Sequence, residues 1–194
     1  MFYEVNDDYP FLLDIEDQWQ AVWSEIKILG EKQYSDYEHS KDGGWKMMLL
    51  VMIDKFNDAY EEQCPLTFGL LRKIPNLTFA AVSKLSAFSK IHPHYEWIKE
   101  DDKLLYNNGN LHRAHLGLQI PANTAACAMR VGDETRSWTA GKFLMFNDSI
   151  EHEVWNNTGE DRIVLVLDFI KVGCTMLDNH QIQALKKKMV DLHM

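Results

Sequence analysis

The run His152-Glu153-Val154-Trp155, then Asn156-Asn157-Thr158-Gly159-Glu160-Asp161, then Arg162-Ile163-Val164-Leu165-Val166-Leu167-Asp168-Phe169 decides how this chain is read. Two β-prone segments flank a polar stretch rich in turn residues, a pattern that predicts a hairpin. The same texture extends upstream through Thr78–Leu85, Arg113–Ile120, Ala125–Val131 and Phe143–Phe146. Gly, Asn, Asp or Pro interrupts it about every ten residues, as in all-β sandwiches and barrels. From Leu77 onward the expected class is therefore mainly β, a sandwich or barrel.

Before Leu77 the period changes. Trp19, Val22, Trp23, Ile26 and Leu29 recur at three and four, with Asp17 placed to cap the start and Gly30 following the end, so a helix is expected there. Met47–Tyr60 fits either a helix or a buried strand leading into one. Cys64-Pro65 breaks the chain, Leu66–Lys73 suggests a short helix, and Ile74-Pro75-Asn76 a turn. The polar segment Trp97–Asn110 reads as a mobile surface loop. Near the C-terminus Ile182, Leu185, Met189 and Leu192 share one side of a helix-like run, Gln181–Met194, suited either to another chain or to the barrel's own edge.

Composition narrows the function classes. With 194 residues, 46% apolar and 25% charged, the chain supports one sizeable core. Twenty Lys and Arg against 29 Asp and Glu give a net charge of −9, which repels phosphate backbones and argues against nucleic acid as a partner. The longest apolar runs, Met47–Ile53 and Ile163–Phe169, fall short of the roughly 20 residues of a membrane span. The opening MFYEVNDDYP is acidic where a secretory signal is basic, so the cytoplasm is the expected compartment. Cys64, Cys127 and Cys174 form no CxxC pair and read as buried thiols rather than a disulfide or zinc framework.

Two of the eight histidines, His94 and His152, stand at the mouths of strand-like segments, where a β-barrel would build a metal site. His94-Tyr95-Glu96 is a His-any-Glu pattern, and a strand's period of two puts His94 and Glu96 on one face. With His152 they would make a facial triad of two histidines and one carboxylate, although a short motif of this kind also arises by chance. Arg162 follows His152 by ten residues and heads a stripe with Val164 and Val166. Pointing inward, it would need a carboxylate partner such as a dicarboxylate ligand supplies; pointing outward, it would pair with Asp161 or Glu160 on the surface. Arg113 and His115 share a face, suited to an anion or, equally, a solvated charge beside a core histidine. Trp138, Trp155 and Phe146 are candidates for pocket walls or plain core.

Several longer segments then resemble one family in order and approximate spacing. They are His115-Leu116-Gly117-Leu118-Gln119-Ile120-Pro121, Arg130-Val131-Gly132-Asp133-Glu134-Thr135-Arg136-Ser137-Trp138, Gly141-Lys142-Phe143-Leu144-Met145-Phe146-Asn147-Asp148-Ser149 and Glu151-His152-Glu153-Val154-Trp155-Asn156. They look like segments of the aspartyl/asparaginyl β-hydroxylases, and the similarity covers about residues 64 to 170. The resemblance implies a double-stranded β-helix (jelly roll, cupin-like) with N-terminal helices. It also implies Fe(II), with 2-oxoglutarate and O2 consumed to give succinate, CO2 and a hydroxylated product. By position, His94, in the pair Pro93-His94, and His152 match the iron ligands. Arg162 and Ser83 match residues that take the far carboxylate of 2-oxoglutarate, and Arg113 and His115 match others around that cosubstrate. The implied organisation is a single catalytic oxygenase domain over 1–194, with helical support in 1–76, the β-helix in 77–170 and a tail or helix in 171–194. The implied substrate is an amino acid or an aminoacyl or peptidyl residue, Asp- or Asn-like; the oligomeric state stays open.

The chain also departs from the family. Ser86-Ala87-Phe88-Ser89 stands where members carry a Pro-Gly turn, the stretch Tyr95–Asn110 is longer and suggests a substrate lid, and Glu96 replaces a glycine, making it a candidate third ligand. Two readings compete with the hydroxylase. One is a cupin-like metalloenzyme that does not use 2-oxoglutarate, against which the placing of Arg162 counts. The other is a non-catalytic β-barrel binding module.

Overall fold

The last strand of the structure, Arg162–Ile170, is buried at every position. Both of its faces are covered, which is why it reads as an almost unbroken apolar run rather than an alternating one. The computed structural model describes residues 1–171 apart from 7, 37–43, 54, 96–97, 101–102 and 107–110, with only the backbone of 98–100 and 103–106. The strands are β1 (Phe2–Tyr3), β2 (Ser35–Asp36), β3 (Trp45–Met52), β4 (Lys55–Phe56), β5 (Leu77–Leu85), β6 (Ser89–His94) and β7 (Ile98–Glu100). They continue as β8 (Lys103–Tyr106), β9 (Leu111–Gln119), β10 (Cys127–Val131), β11 (Glu134–Arg136), β12 (Phe143–Phe146), β13 (His152–Asn156) and β14 (Arg162–Ile170). The helices are α1 (Pro10–Asp17), α2 (Trp19–Leu29), α3 (Asp58–Glu61) and α4 (Pro65–Leu71).

The larger sheet has the order β1-β12-β9-β14-β5-β3-β2, with β4 added to β3, and the smaller has the order β11-β10-β13-β6. Ala81, Leu85, Met129, Val154, Val164 and Val166 belong to one apolar cluster drawn from both sheets. On the other face of the larger sheet, Leu12, Ile15, Val22, Ile26 and Phe68 from the helices join Val82, Leu116 and Leu165 in a second cluster. The result is the expected mainly β double-stranded β-helix with helices flanking one sheet.

Several expectations are corrected. Asp17 does not cap α2: it is the last residue of α1, which the sequence reading missed, and Gln18 joins the two helices. Pro10 at the first turn of α1 suits a helix start, since its missing N–H has no intrahelical partner to lose. Of the two readings of Met47–Tyr60, the strand leading into a helix holds, with β3 and the short β4 ahead of α3, so the N-terminal third contributes β3 to the larger sheet. Trp97–Asn110 contains the β7–β8 hairpin. Cys64 and Cys127 are buried thiols, whereas Cys174 and Gln181–Met194 lie outside the described residues.

The largest correction concerns β13 and β14, which are not a hairpin. Each pairs within a different sheet, so the turn between them crosses from the smaller sheet to the larger. Asn156, fully buried, holds that crossing. Its Nδ2 donates to the carbonyls of Leu85, Ser86 and Glu160, and its Oδ1 accepts from the N–H and hydroxyl of Thr158. Leu85 and Ser86 begin the neighbouring crossing from β5 to β6, so one amide ties the two crossings together.

Candidate functional site

β6, whose extent the sequence leaves open because Pro93 and its polar residues obscure the alternation, pairs with β13 so that His94 lies opposite His152. The ring centroids are 4.2 Å apart and the planes 52° apart. Each ring is oriented by its own strand: His94 Nδ1 lies 2.8 Å from the His92 carbonyl oxygen and His152 Nδ1 lies 2.9 Å from that of Ile150. A carbonyl oxygen only accepts, so Nδ1 carries the proton and the lone pair of each neutral ring sits on Nε2. That is the tautomer in which histidine ligates a metal, with a backbone carbonyl fixing the ring from behind.

The larger sheet supplies the facing wall. Arg162 opens β14 and is 1% exposed. Its guanidinium carbon sits 4.8 Å from the centroid of the Trp138 ring, and Nη1 reaches Ser83 Oγ on β5 at 3.4 Å. Trp45 Nε1 donates to the same Ser83 oxygen at 2.9 Å. Neither Asp161 nor Glu160 pairs with Arg162: Asp161 instead takes Lys84 at 2.9 Å and the N–H of Ala87. Among the described residues Arg162 has no carboxylate partner, and its Nε, buried, has no hydrogen bond. Burial pulls its pKa down to about 10, which still leaves the group cationic at neutral pH.

His115 on β9 completes the circuit. Its ring stacks on Trp138 at 6.2 Å and meets Phe146 edge-on at 5.0 Å, and Phe146 meets His152 at 5.6 Å. Trp45 lies 6.1 Å from His94. The contacts close a ring through His94, Trp45, Ser83, Arg162, Trp138, His115, Phe146 and His152, with the smaller sheet's two histidines across from the larger sheet's arginine. Burial, then the charges of Arg162, Arg113 and His152, hold the His115 pKa well below the ordinary histidine value, so the ring is neutral.

Arg113 shares the face of His115, but its charge is taken up within the protein. Asp168, its cross-strand neighbour, binds Nε and Nη2 at 2.7 Å each, and Asp148 approaches Nε at 3.2 Å. Glu96 lies outside the described residues, and among those described no group of three His, Cys, Asp or Glu is placed to hold a metal. Trp138 and Phe146 stand in the wall; Trp155 does not, because it points to the other face of β13 from His152 and is half-buried there. Trp45 was missed: an aromatic in front of a segment readable as helix or strand gave no sign that it would meet Ser83, 38 positions later.

The chain is similar to known proteins at three levels, a family model, two relatives and a solved structure. The family model described as Aspartyl/Asparaginyl beta-hydroxylase matches residues 13–172. The ornithine lipid ester-linked acyl 2-hydroxylase of Rhizobium tropici is 30% identical over 173 residues, covering 84% of this chain and 58% of the relative. The Homo sapiens aspartyl/asparaginyl beta-hydroxylase is 32% identical over 155 residues, covering 79% of this chain and 19% of the relative. The chain thus spans less than two thirds of either relative. A solved Pseudomonas putida prolyl-4-hydroxylase shares the fold, with a TM-score of 0.52 at 16% identity over 80% of this chain and 87% of that one.

Proposed function

The chain belongs to the aspartyl/asparaginyl β-hydroxylase family, and from that premise we propose that it is an Fe(II)- and 2-oxoglutarate-dependent hydroxylase of an amino acid or an aminoacyl or peptidyl residue. The observation that carries the reading is the buried Arg162, without a carboxylate partner among the described residues, facing two histidines whose tautomers suit metal ligation. A buried guanidinium without a counter-charge is costly unless a ligand supplies one. A dicarboxylate does so, in the bidentate geometry the guanidinium fork favours.

The residues fit both groups. His94 and His152 would hold the iron through Nε2, with Glu96 the proposed third ligand. Arg162 and Ser83 would receive the far carboxylate, with His115 and Arg113 around the remainder of the cosubstrate. Together, iron, 2-oxoglutarate and O2 would supply the oxidising power to hydroxylate an unactivated C–H bond, with succinate and CO2 as the other products. The protein's own share is orientation and exclusion of water. His92 and Ile150 carbonyls fix the imidazoles, Trp45 fixes the Ser83 oxygen, and Phe146 and Trp138 cover the space between the ligands and the arginine. His115, held neutral, adds no charge beside the carboxylate.

The substrate is proposed as Asp- or Asn-like, after the name of the human relative; the name of the Rhizobium relative makes an acyl chain the alternative to test beside it. The proposal takes 1–194 as one catalytic domain working in the cytoplasm. No helix of the described residues is long and apolar enough to cross a membrane. A cupin-like enzyme using metal alone gives Arg162 nothing to bind, and a non-catalytic scaffold has no use for oriented histidines.

The test is succinate formation from 2-oxoglutarate under air with Fe(II) and ascorbate, offering Asp, Asn, short acidic peptides and acylated amines. Wild type should turn over with its substrate and His152→Ala should not. Thermal stability should rise with Mn(II) and 2-oxoglutarate together beyond the rise with metal alone. Metal-loaded protein that fails to bind 2-oxoglutarate would sink the proposal.

A further inference from the structure

Four buried side-chain nitrogens lack a hydrogen-bond partner among the described residues: His112 Nδ1, His115 Nδ1, Trp138 Nε1 and Arg162 Nε. His112 sits against Tyr3, Tyr9 and Phe169, part of or packed on the helix-side cluster. The other three belong to side chains in mutual contact, the Arg162 guanidinium over the Trp138 ring and that ring stacked on His115 with planes 13° apart. An indole nitrogen can only donate, and leaving it buried and unbonded carries the whole desolvation penalty of the group. Trp138 is 1% exposed. A phenylalanine would fill most of that volume without stranding a donor, so packing alone does not account for the indole.

The backbone around Trp138 is built to hold it there. The residue lies between β11 and β12, in a stretch pinned to β9 by hydrogen bonds from Gly117 N to the Lys142 carbonyl at 3.2 Å and from Gly141 N to the Gly117 carbonyl at 2.8 Å. Gly117 makes this approach feasible: a Cβ there would stand 2.5 Å from the Thr139 carbonyl oxygen, closer than such atoms come. Ser137 Oγ donates to the Thr124 carbonyl at 2.7 Å and fixes the residue just before. The indole is thus held firmly beside the guanidinium with its N–H unused by any described residue.

We propose that Trp138 is a binding residue of the cosubstrate site, its indole N–H donating to the same carboxylate that Arg162 and Ser83 receive. The inference rests on the hydroxylase reading above and adds a specificity element to it. The donor acts only on a ligand with a carboxylate at the arginine end, so Trp138 discriminates 2-oxoglutarate from oxo acids lacking the second carboxylate.

The experiment is calorimetric binding of 2-oxoglutarate and of 2-oxopentanoate, which keeps the chain length but lacks the far carboxylate, to Mn(II)-loaded wild type and Trp138→Phe. Phenylalanine keeps a ring beneath the guanidinium and removes the N–H together with part of the indole's bulk, and the loss of bulk is felt by both acids alike. Trp138→Phe should bind 2-oxoglutarate about tenfold more weakly or worse, as for a lost bond to a charged acceptor, with 2-oxopentanoate unchanged. Unchanged affinity for 2-oxoglutarate, or equal weakening toward both acids, overturns the role of Trp138 and leaves the Arg162 site standing. A wild type that does not prefer 2-oxoglutarate over 2-oxopentanoate overturns the Arg162 site itself. Should Trp138→Phe not fold, the indole 15N–1H signal of Trp138 in Zn(II)-loaded wild type, assigned by replacing the other tryptophans in turn, decides the matter. It should move downfield with 2-oxoglutarate and stay with 2-oxopentanoate; immobility with both overturns the proposal.

Discussion

Arg113 and Arg162 both project between the two sheets, from the adjacent strands β9 and β14, and the protein treats them in opposite ways. Arg113 is gripped on two donors by Asp168 and approached by Asp148, both carboxylates almost wholly buried. Arg162 has a serine hydroxyl at a long 3.4 Å, an aromatic face and an unbonded Nε. Asp168 and Arg162 lie on the same strand and, an even number of residues apart, on the same face. At one end of that strand a charge is neutralised from within; at the other a charge is left for something to neutralise. The first arrangement meets a charge inside the protein and the second leaves room for a ligand to meet one, so the two should respond differently to mutation.

The largest expected effect is at the saturated end. Asp168→Ala removes the carboxylate that grips Arg113 on two donors and should cost about 3 kcal/mol of stability, as for breaking a buried pair by removing one partner, read from urea denaturation. A cost below about 1 kcal/mol, the range of exposed pairs, would mean that Asp148 suffices and that the contrast is weaker than drawn. Arg162→Met should do the reverse. Without ligand the protein should be as stable as wild type or up to about 2 kcal/mol more so, because an uncompensated buried charge is gone. The extra thermal stabilisation by 2-oxoglutarate over metal alone should vanish. Marked destabilisation without ligand would show Arg162 to be structural after all.

The smallest effect is in pH dependence. Burial lowers the pKa of His112 to about 4, and burial with the charges of Arg162, Arg113 and His152 holds His115 well below 6.5. The folded form then binds fewer protons than the unfolded one once pH falls below 6.5, so these two residues leave stability intact above that value and erode it below. The melting temperature should drop as pH is lowered from 6.5 towards 4. Arg162→Met should flatten the drop slightly through His115. A steeper drop in the variant would contradict the direction in which Arg162 acts on His115.

The strands with plain apolar character were legible. Phe143–Phe146 is predicted to the residue, and Arg162–Phe169 falls one short of β14. What failed was pairing. A six-residue polar turn between two strands fits a hairpin or a crossing between sheets equally well, because a turn's composition records its exposure and not the destination of the chain. His94 and His152 are expected at one metal on the sequence, but their placement opposite each other on paired strands is not legible there, since β6 carries Pro93 and few apolar residues. The inward aim of Arg162 was open on the sequence, where Asp161 and Glu160 beside it offered a surface partner; only the burial of β14 decided it. Family resemblance named Ser83 and His115, but Trp45 and the unbonded Trp138 N–H depend on long-range packing that no local pattern records.

The amide of Asn156 gains a further meaning once the two halves of the site are seen to come from different sheets. Facing sheets stand about 10 Å apart, and in the proposed enzyme that gap is a caliper: the histidines are one jaw, Arg162 and Ser83 the other. Asn156 joins the crossing that leads out of β13 to the one that leads out of β5, so a single side chain ties the two sheets together at the end where Arg162 sits. In that enzyme the spacing of the jaws would then rest in part on a residue outside the ring of contacts around the site.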